Sequence, residues 1–145
     1  MLIEHLLATK GNEVVTVAAD TTIAAVVAVL QEHGIGAIVV SDDDGGTVAG
    51  IVSERDIVRA VADRGGAALD EPVSALMTTD VVTCQPSARI EDLMAVMTEH
   101  RFRHLPVVDD GRLVGIVSIG DVVKVRVSEL AEETRTLHEY VASGR

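Results

Sequence analysis

One phrase is written twice in this chain. Gly50-Ile51-Val52-Ser53-Glu54-Arg55-Asp56-Ile57-Val58 returns as Gly115-Ile116-Val117-Ser118-Ile119-Gly120-Asp121-Val122-Val123, six of nine positions being identical at an offset of 65. In each copy an apolar strand runs into a turn that delivers a Ser and an Asp to the start of a helix. Upstream, residues 14–40 and 81–107 agree at nine of 27 positions at an offset of 67: Val14, Val15, Thr16, Ile23, Ala28, Val29, Glu32, His33 and Val40 in the first stretch. The offset falls to 65 because the first hairpin turn is two residues longer than the second. Ordered matches of this kind mark an internal duplication. A unit of roughly 60 residues sits near the lower limit of independent stability. Two such units must therefore bury their apolar faces against each other, and small molecules tend to bind in the clefts such an arrangement leaves.

The hydrophobic pattern gives each repeat the order β-α-β-β-α with a short lead-in helix. Leu2, Ile3, Leu6 and Leu7 have helical spacing, and Lys10-Gly11-Asn12 breaks it. Val14–Val17 reads as a strand. A helix over 22–33 is capped by Asp20 or Thr21 and closed by Gly34. Ala37–Ser41 and Val48–Val52 form a hairpin about the turn Ser41-Asp42-Asp43-Asp44-Gly45-Gly46, and Ser53 opens a helix to about Ala62. The Gly- and Ala-rich stretch Asp63–Asp70 reads as a connection. Pro72 starts a short helix ending near Met77. The pattern then restarts with a strand Val81–Cys84, a helix 88–100 capped by Ser87, strands His104–Val108 and Leu113–Val117, and a last helix from Ser118. Expected boundaries are residues 1–64 for the first repeat with its lead-in helix, 65–71 for the linker, 72–128 for the second repeat and 129–145 for a charged helical tail.

Composition limits the partners. The net charge of −11 argues against nucleic acid, since phosphate backbones need a basic footprint. The longest wholly apolar run, Ile23–Leu30, is far short of a membrane span. Glu4 and His5 stand where a secretory leader would be basic, so cytoplasm is the expected location. Cys84 is alone, which leaves no intramolecular disulfide and no Cys cluster for zinc. The only aromatics of the Phe, Tyr and Trp set are Phe102 and Tyr140, so a flat ligand is expected to be gripped by aliphatic side chains.

Ser53/Asp56 and Ser118/Asp121 have an ordinary reading as capping boxes. The same geometry can also offer N–H groups and a hydroxyl to a phosphate, with an acid placed to accept from a ribose diol. The duplicated Gly-h-h-Ser-x-x-Asp-h-h (h, apolar), the β-α-β-β order and His104-Leu105-Pro106-Val107-Val108-Asp109 resemble a tandem pair of CBS (cystathionine-β-synthase) domains, a Bateman module, over about residues 1–127. The resemblance implies an α/β (α+β) fold of two repeats packed sheet to sheet about a pseudo-twofold axis. It also implies an adenosine-containing ligand in the inter-repeat cleft: AMP, ADP, ATP, NAD(H) or S-adenosylmethionine. Carried over by position, Asp56 and Asp121 hold ribose hydroxyls, Ser53 and Ser118 approach phosphate, and Thr16 and Thr83 contact the adenosine.

Arg101, Arg103 and His104 form the densest basic cluster in an acidic chain, matched to phosphate by the guanidinium fork. The first repeat has Gly34, Gly36 and Ala37 there, so the two sites should differ, with phosphate drawn to the basic corner and Asp121 outweighing Asp56. Lys10 and Arg55 read as surface charges, His33 and His100 as helix C-terminal cations, Cys84 as a core residue, and Met77, Met94 and Met97 as core filler. Gly34-Ile35-Gly36 is not a dinucleotide fingerprint, having no third Gly and no helix after it. No nucleophile elbow, HExxH or P-loop is present, so the expected role is a non-enzymatic regulatory sensor. It should act as a homodimer with some target protein, the alternatives being an interaction module without nucleotide or a nucleotide-processing enzyme.

Overall fold

The computed structural model describes residues 1–11 and 13–144; Asn12 and Arg145 lie outside the described residues. The chain runs α1 (Ile3–Lys10), β1 (Thr16–Val17), α2 (Ile23–His33), β2 (Ala37–Val40), β3 (Gly50–Ser53), α3 (Glu54–Arg64), two 3-10 turns (Gly65–Asp70 and Val73–Ala75), α4 (Ile90–His100), β4 (His104–Asp109), β5 (Arg112–Ser118) and α5 (Ile119–Gly144). In the first repeat β1 pairs parallel to β2, and β2 antiparallel to β3. In the second, β4 and β5 form a hairpin with a shift in register between Val107 and Val108.

The expected strand Val81–Cys84 is reduced to one parallel bridge, Cys84 to Val107. Its counterpart in the first repeat has two pairs, Thr16–Val39 and Val17–Val40. By repeat position, Thr83 would face Pro106, which has no N–H to give the ladder. The bonds that survive flank that gap, from Cys84 N–H to the Pro106 carbonyl (3.0 Å) and from Val108 N–H to the Cys84 carbonyl (2.8 Å). Burial pushes the Cys84 thiol up to about 11, so it stays protonated and inert at neutral pH.

The helix caps also differ from expectation. Thr22, not Asp20 or Thr21, caps α2, its hydroxyl accepting from Ala25 N–H at 3.3 Å. The equivalent residue at α4 is Arg89, which makes no side-chain cap, and Ser87 lies too early to serve. Both helices instead give their first N–H to a lead-in segment: Ile23 to the Glu71 carbonyl (2.9 Å) and Ile90 to the Met1 carbonyl (3.0 Å).

That pairing exposes an exchange of arms. α1 packs not on the repeat that follows it but on the second, where Ile3, Leu6 and Leu7 join Ile90, Leu93, Met97, Leu105, Val107, Val117 and Val122 in one core, with Met94 at its edge. The segment 65–77 packs on the first repeat, where Val73, Leu69, Leu76 and Met77 meet Ile23, Val26, Leu30, Ile38, Val40, Val52 and Ile57. The lead-in helix α1 thus packs in the core of the second repeat rather than in that of the repeat it precedes in sequence. The connection, with Ala68 fully buried, is an integral part of the first repeat's packing.

The exchanged arms explain the repeated glycine. A Cβ on Gly50 would stand 2.6 Å from Met77 Sδ and 2.9 Å from the Thr78 carbonyl; one on Gly115 would stand 2.7 Å from Leu7 Cδ2. The Thr78 carbonyl is itself held by Ile51 N–H at 3.0 Å and cannot retreat freely. Gly50→Ala should therefore destabilise the chain by about 1–3 kcal/mol in urea titration, whereas Gly115→Ala should cost less, because Leu7 can change rotamer.

The longer first turn is built around Asp43. Its carboxylate accepts from Thr47 N–H (2.8 Å), the Ser41 hydroxyl (2.8 Å) and the Thr47 hydroxyl (2.9 Å). These bonds, the Thr47 amide foremost, lower its pKa to about 2. The turn touches the second repeat, where Leu113 N–H donates to the Gly46 carbonyl at 2.9 Å.

Candidate ligand cleft

Each repeated Ser-x-x-Asp forms the capping box expected of it. Ser53 N–H donates to Asp56 Oδ2 at 2.8 Å and Asp56 N–H to Ser53 Oγ at 3.4 Å. In the second copy Ser118 N–H donates to Asp121 Oδ2 at 2.9 Å and Asp121 N–H to Ser118 Oγ at 3.1 Å. The boxes are alike, but their surroundings are not.

Ser53 and Asp56 line a cleft of about 480 Å³ between the repeats. One wall comes from the first repeat: Gly36, Ala37, Ile51 and the start of α3 with Glu54, Arg55 and Arg59. The other comes from Thr78–Val82 and from the α4–β4 turn, His100 to Leu105. Arg101, Arg103 and His104 therefore line the same cleft as Asp56. The register of β4 against β5 sets His104 opposite Ser118, yet the two residues before the strand turn toward the first repeat. The basic run thus shares its cleft with Asp56, where the sequence pointed to Asp121. Asp121 lines a different groove, between α1 and α5, and is engaged by Lys10, whose Nζ donates to Asp121 Oδ2 at 2.5 Å and to the Ile116 carbonyl at 2.8 Å. Burial alone would raise the Asp121 pKa, but the bonds from Lys10 and Ser118 outweigh it and lower it.

Of the nine residues singled out by sequence, Ser53, Asp56, Arg101, Arg103 and His104 converge on the cleft. Ser118 and Asp121 do not line it. Thr16 is half-buried in β1, its side chain beside the position a Cβ on Gly45 would take (3.7 Å), and Thr83 is exposed on the irregular segment before α4. Arg55 and His100, read as a surface charge and a helix-end cation, both line the cleft, and Lys10 is an ion-pair partner rather than a free charge. The ring expected to be missing is also there. Phe102 lines the cleft and stacks on His100, with centroids 5.6 Å apart and planes at 16°. Its signal was its position inside the basic run, not its abundance.

Arg101 sits in the left-handed region, φ 60° and ψ 31°, as the residue closing α4. Gly34 closes α2 in nearly the same conformation, φ 62° and ψ 37°. An L-residue pays about 1–2 kcal/mol there, so the second repeat keeps a guanidinium where a glycine would be more comfortable. Strain of this kind gathers at functional sites.

Burial lowers the His104 pKa, with Lys10 and Arg103 adding to the effect and Asp121 and Glu54 opposing it. Below the ordinary value near 6.5, the unfolded chain then binds a proton that the folded chain does not, so stability falls as pH drops through that window toward the folded pKa. The melting temperature should accordingly decline as pH falls below about 6.5, and His104→Gln should flatten that decline.

Among the described residues no group of three His, Cys, Asp or Glu is arranged to hold a metal, and no helix is long and apolar enough to cross a membrane.

Two mixed α/β repeats with exchanged arms and a charged cleft between them define a tandem-repeat module. The CBS domain model matches residues 5–63 and 73–128, and the chain belongs to the CBS-domain family. It is similar to a mitochondrial CBS domain-containing protein of Arabidopsis thaliana (35% identity over 128 residues), covering 86% of this chain but only 62% of that protein's length. It superposes on a CBS-domain protein of Agrobacterium tumefaciens at a TM-score of 0.83 with 51% identity, covering 87% of this chain and 99% of that one. A CBS domain protein of Pyrobaculum aerophilum complexed with AMP is similar at a TM-score of 0.75 and 31% identity, covering 83% and 89%.

Proposed function

We propose that the chain is a regulatory module that binds one adenosine-containing ligand, AMP, ADP, ATP or NAD(H), in the cleft beside Asp56. The observation that carries this reading is the convergence of Asp56 on one wall and Arg101 and Arg103 on the other wall of a single cleft, which Glu54, Asp80, Arg55 and Arg59 also line, in a chain of net charge −11. Asp56 accepts from the ribose hydroxyls while staying the N3 acid of α3. Arg101 and Arg103 take the phosphates by paired N–H bonds, and the Arg55 and Arg59 guanidinium groups add to the local positive field. Ile51, Val81, Val82 and Phe102 supply an apolar bed for the base, the Phe102 ring giving it a face to stack on. The AMP complex of the Pyrobaculum aerophilum relative supports this ligand class.

The acids at the helix starts accept hydrogen bonds within their capping boxes, which suits recognition rather than general-base chemistry. The role is therefore sensing: ligand occupancy ties the α4–β4 turn to α3, across the two repeats, and alters what a cytoplasmic target protein can contact. Titration calorimetry and thermal melts with AMP, ATP, NADH and S-adenosylmethionine test it. A ligand at a hundred times its Kd should stabilise the fold by about 2.7 kcal/mol. If none of the four binds or raises the melting temperature, the sensor reading fails and an interaction module without nucleotide takes its place. Sustained turnover of ATP would point to an enzyme instead.

A further inference from the structure

α5 is 26 residues long, about 39 Å at 1.5 Å per residue, and every described residue from Leu130 onward is exposed. A helix segment of this length with no tertiary contact is marginal in water, so its sequence should reveal what covers it. Along it the apolar residues fall at alternating spacings of four and three: Val123, Val127, Leu130, then Leu137 and Val141, with Thr134 filling the one gap. In heptad terms Val127, Thr134 and Val141 occupy a, and Val123, Leu130 and Leu137 occupy d. Every a residue is β-branched and two of the three d residues are Leu, the combination that favours two parallel strands. Val127, Leu130, Leu137 and Val141 are 60%, 46%, 60% and 70% exposed, so none of the described residues covers the seam.

We propose that a second copy of this chain covers this face, the two α5 helices forming a parallel two-stranded coiled coil through Val123, Val127, Leu130, Thr134, Leu137 and Val141.

The flanking positions permit it. In a parallel pair each g residue meets the e residue five positions on in the other copy, which sets Arg126 against Ala131 and Glu133 against His138; neither pair brings like charges together. The rest of the fold leaves room as well. Val122, the α5 residue buried in the second core, precedes the d residue Val123 by one position, about 100° around the helix. The body of each copy therefore lies to the flank of the seam, and a twofold axis along the coil puts the two bodies on opposite flanks. The groove lined by Lys10, Asp121 and Lys124 runs along the other flank of α5 there and reaches the seam only at Leu137, farther along the helix.

Sedimentation of the full chain tests the proposal. The native particle should contain at least two copies, and the double variant Leu130→Glu/Leu137→Glu should have half the native mass with the body of each copy still folded, because both side chains are exposed within the single chain. In a Cys84→Ser background, Leu137→Cys should oxidise to a disulfide-linked dimer, since a parallel seam sets this d position against itself, and Leu130→Cys paired with the same background should do likewise. A native chain that sediments as a monomer, a double variant that keeps the native mass, or an oxidised Leu137→Cys chain that stays single would each overturn the proposal.

Discussion

Asp56→Ala should cost the chain ten- to a hundredfold in affinity for its adenine nucleotide, while Asp121→Ala should leave that affinity nearly unchanged. The expected loss is that of hydrogen bonds to a charged acceptor, about 1.5–3 kcal/mol, at tenfold for each 1.4 kcal/mol. The pair of variants separates ligand binding from helix capping. Both acids close a capping box with the preceding Ser, so both substitutions should lower stability, each by about 1 kcal/mol. Asp56 alone faces the cleft. Asp121 is already neutralised by Lys10 and lines another groove. Calorimetric titration of both variants checks the assignment. Equal losses of affinity would mean that the second acid also holds ligand, and an unaffected Asp56→Ala would remove the proposed ribose contact altogether.

Arg101→Gly should move stability and affinity in opposite directions. Relief of the left-handed backbone returns about 1–2 kcal/mol, from which the greater freedom of glycine in the unfolded chain takes back up to about 1 kcal/mol. Urea titration should thus show a gain of up to about 1 kcal/mol. The same change removes a guanidinium from the cleft, and nucleotide affinity should fall by ten- to a hundredfold. Arg101→Lys keeps the charge and the strain but loses the fork, and should bind between the two. A variant that gained stability without losing affinity would show Arg101 to be a strained surface residue. The opposed signs make this pair of measurements informative: a purely structural residue trades nothing.

Much of the fold was legible because duplication repeats its own evidence. Two copies of Gly-Ile-Val-Ser-x-x-Asp fixed two strand-to-helix junctions, and the 3.6-residue period of Ile23, Val26 and Leu30, repeated as Ile90, Leu93 and Met97, marked the two buried helix faces. The capping boxes were readable since they are local, made within three residues. Where a local signal was weak, tertiary packing overrode it. Val81–Cys84 has strand composition, but its neighbour in space is Pro106, which could not be known from the segment itself. α2 and α4 take their first N–H partners from Glu71 and Met1, remote carbonyls for which no cap residue in the sequence stands.

The candidate site divides along the same line. The sequence alone determined which chemistry the chain carries: two Ser-x-x-Asp helix starts, a basic run at 101–104, an acidic remainder and one ring inside the basic run. It could not say which acid faces the basic run, because that depends on the exchange of arms. α1 crosses to the second repeat and carries Lys10 to Asp121, while residues 65–77 return to the first and bring Thr78–Val82 beside Asp56. Equivalent residues in sequence thus came to lie in unlike electrostatic surroundings. The duplication supplied two similar helix starts; burial of the lead-in arms, driven by Leu6, Leu7 and Val73 seeking an apolar face, left one acid paired with a lysine and the other on the wall of the inter-repeat cleft.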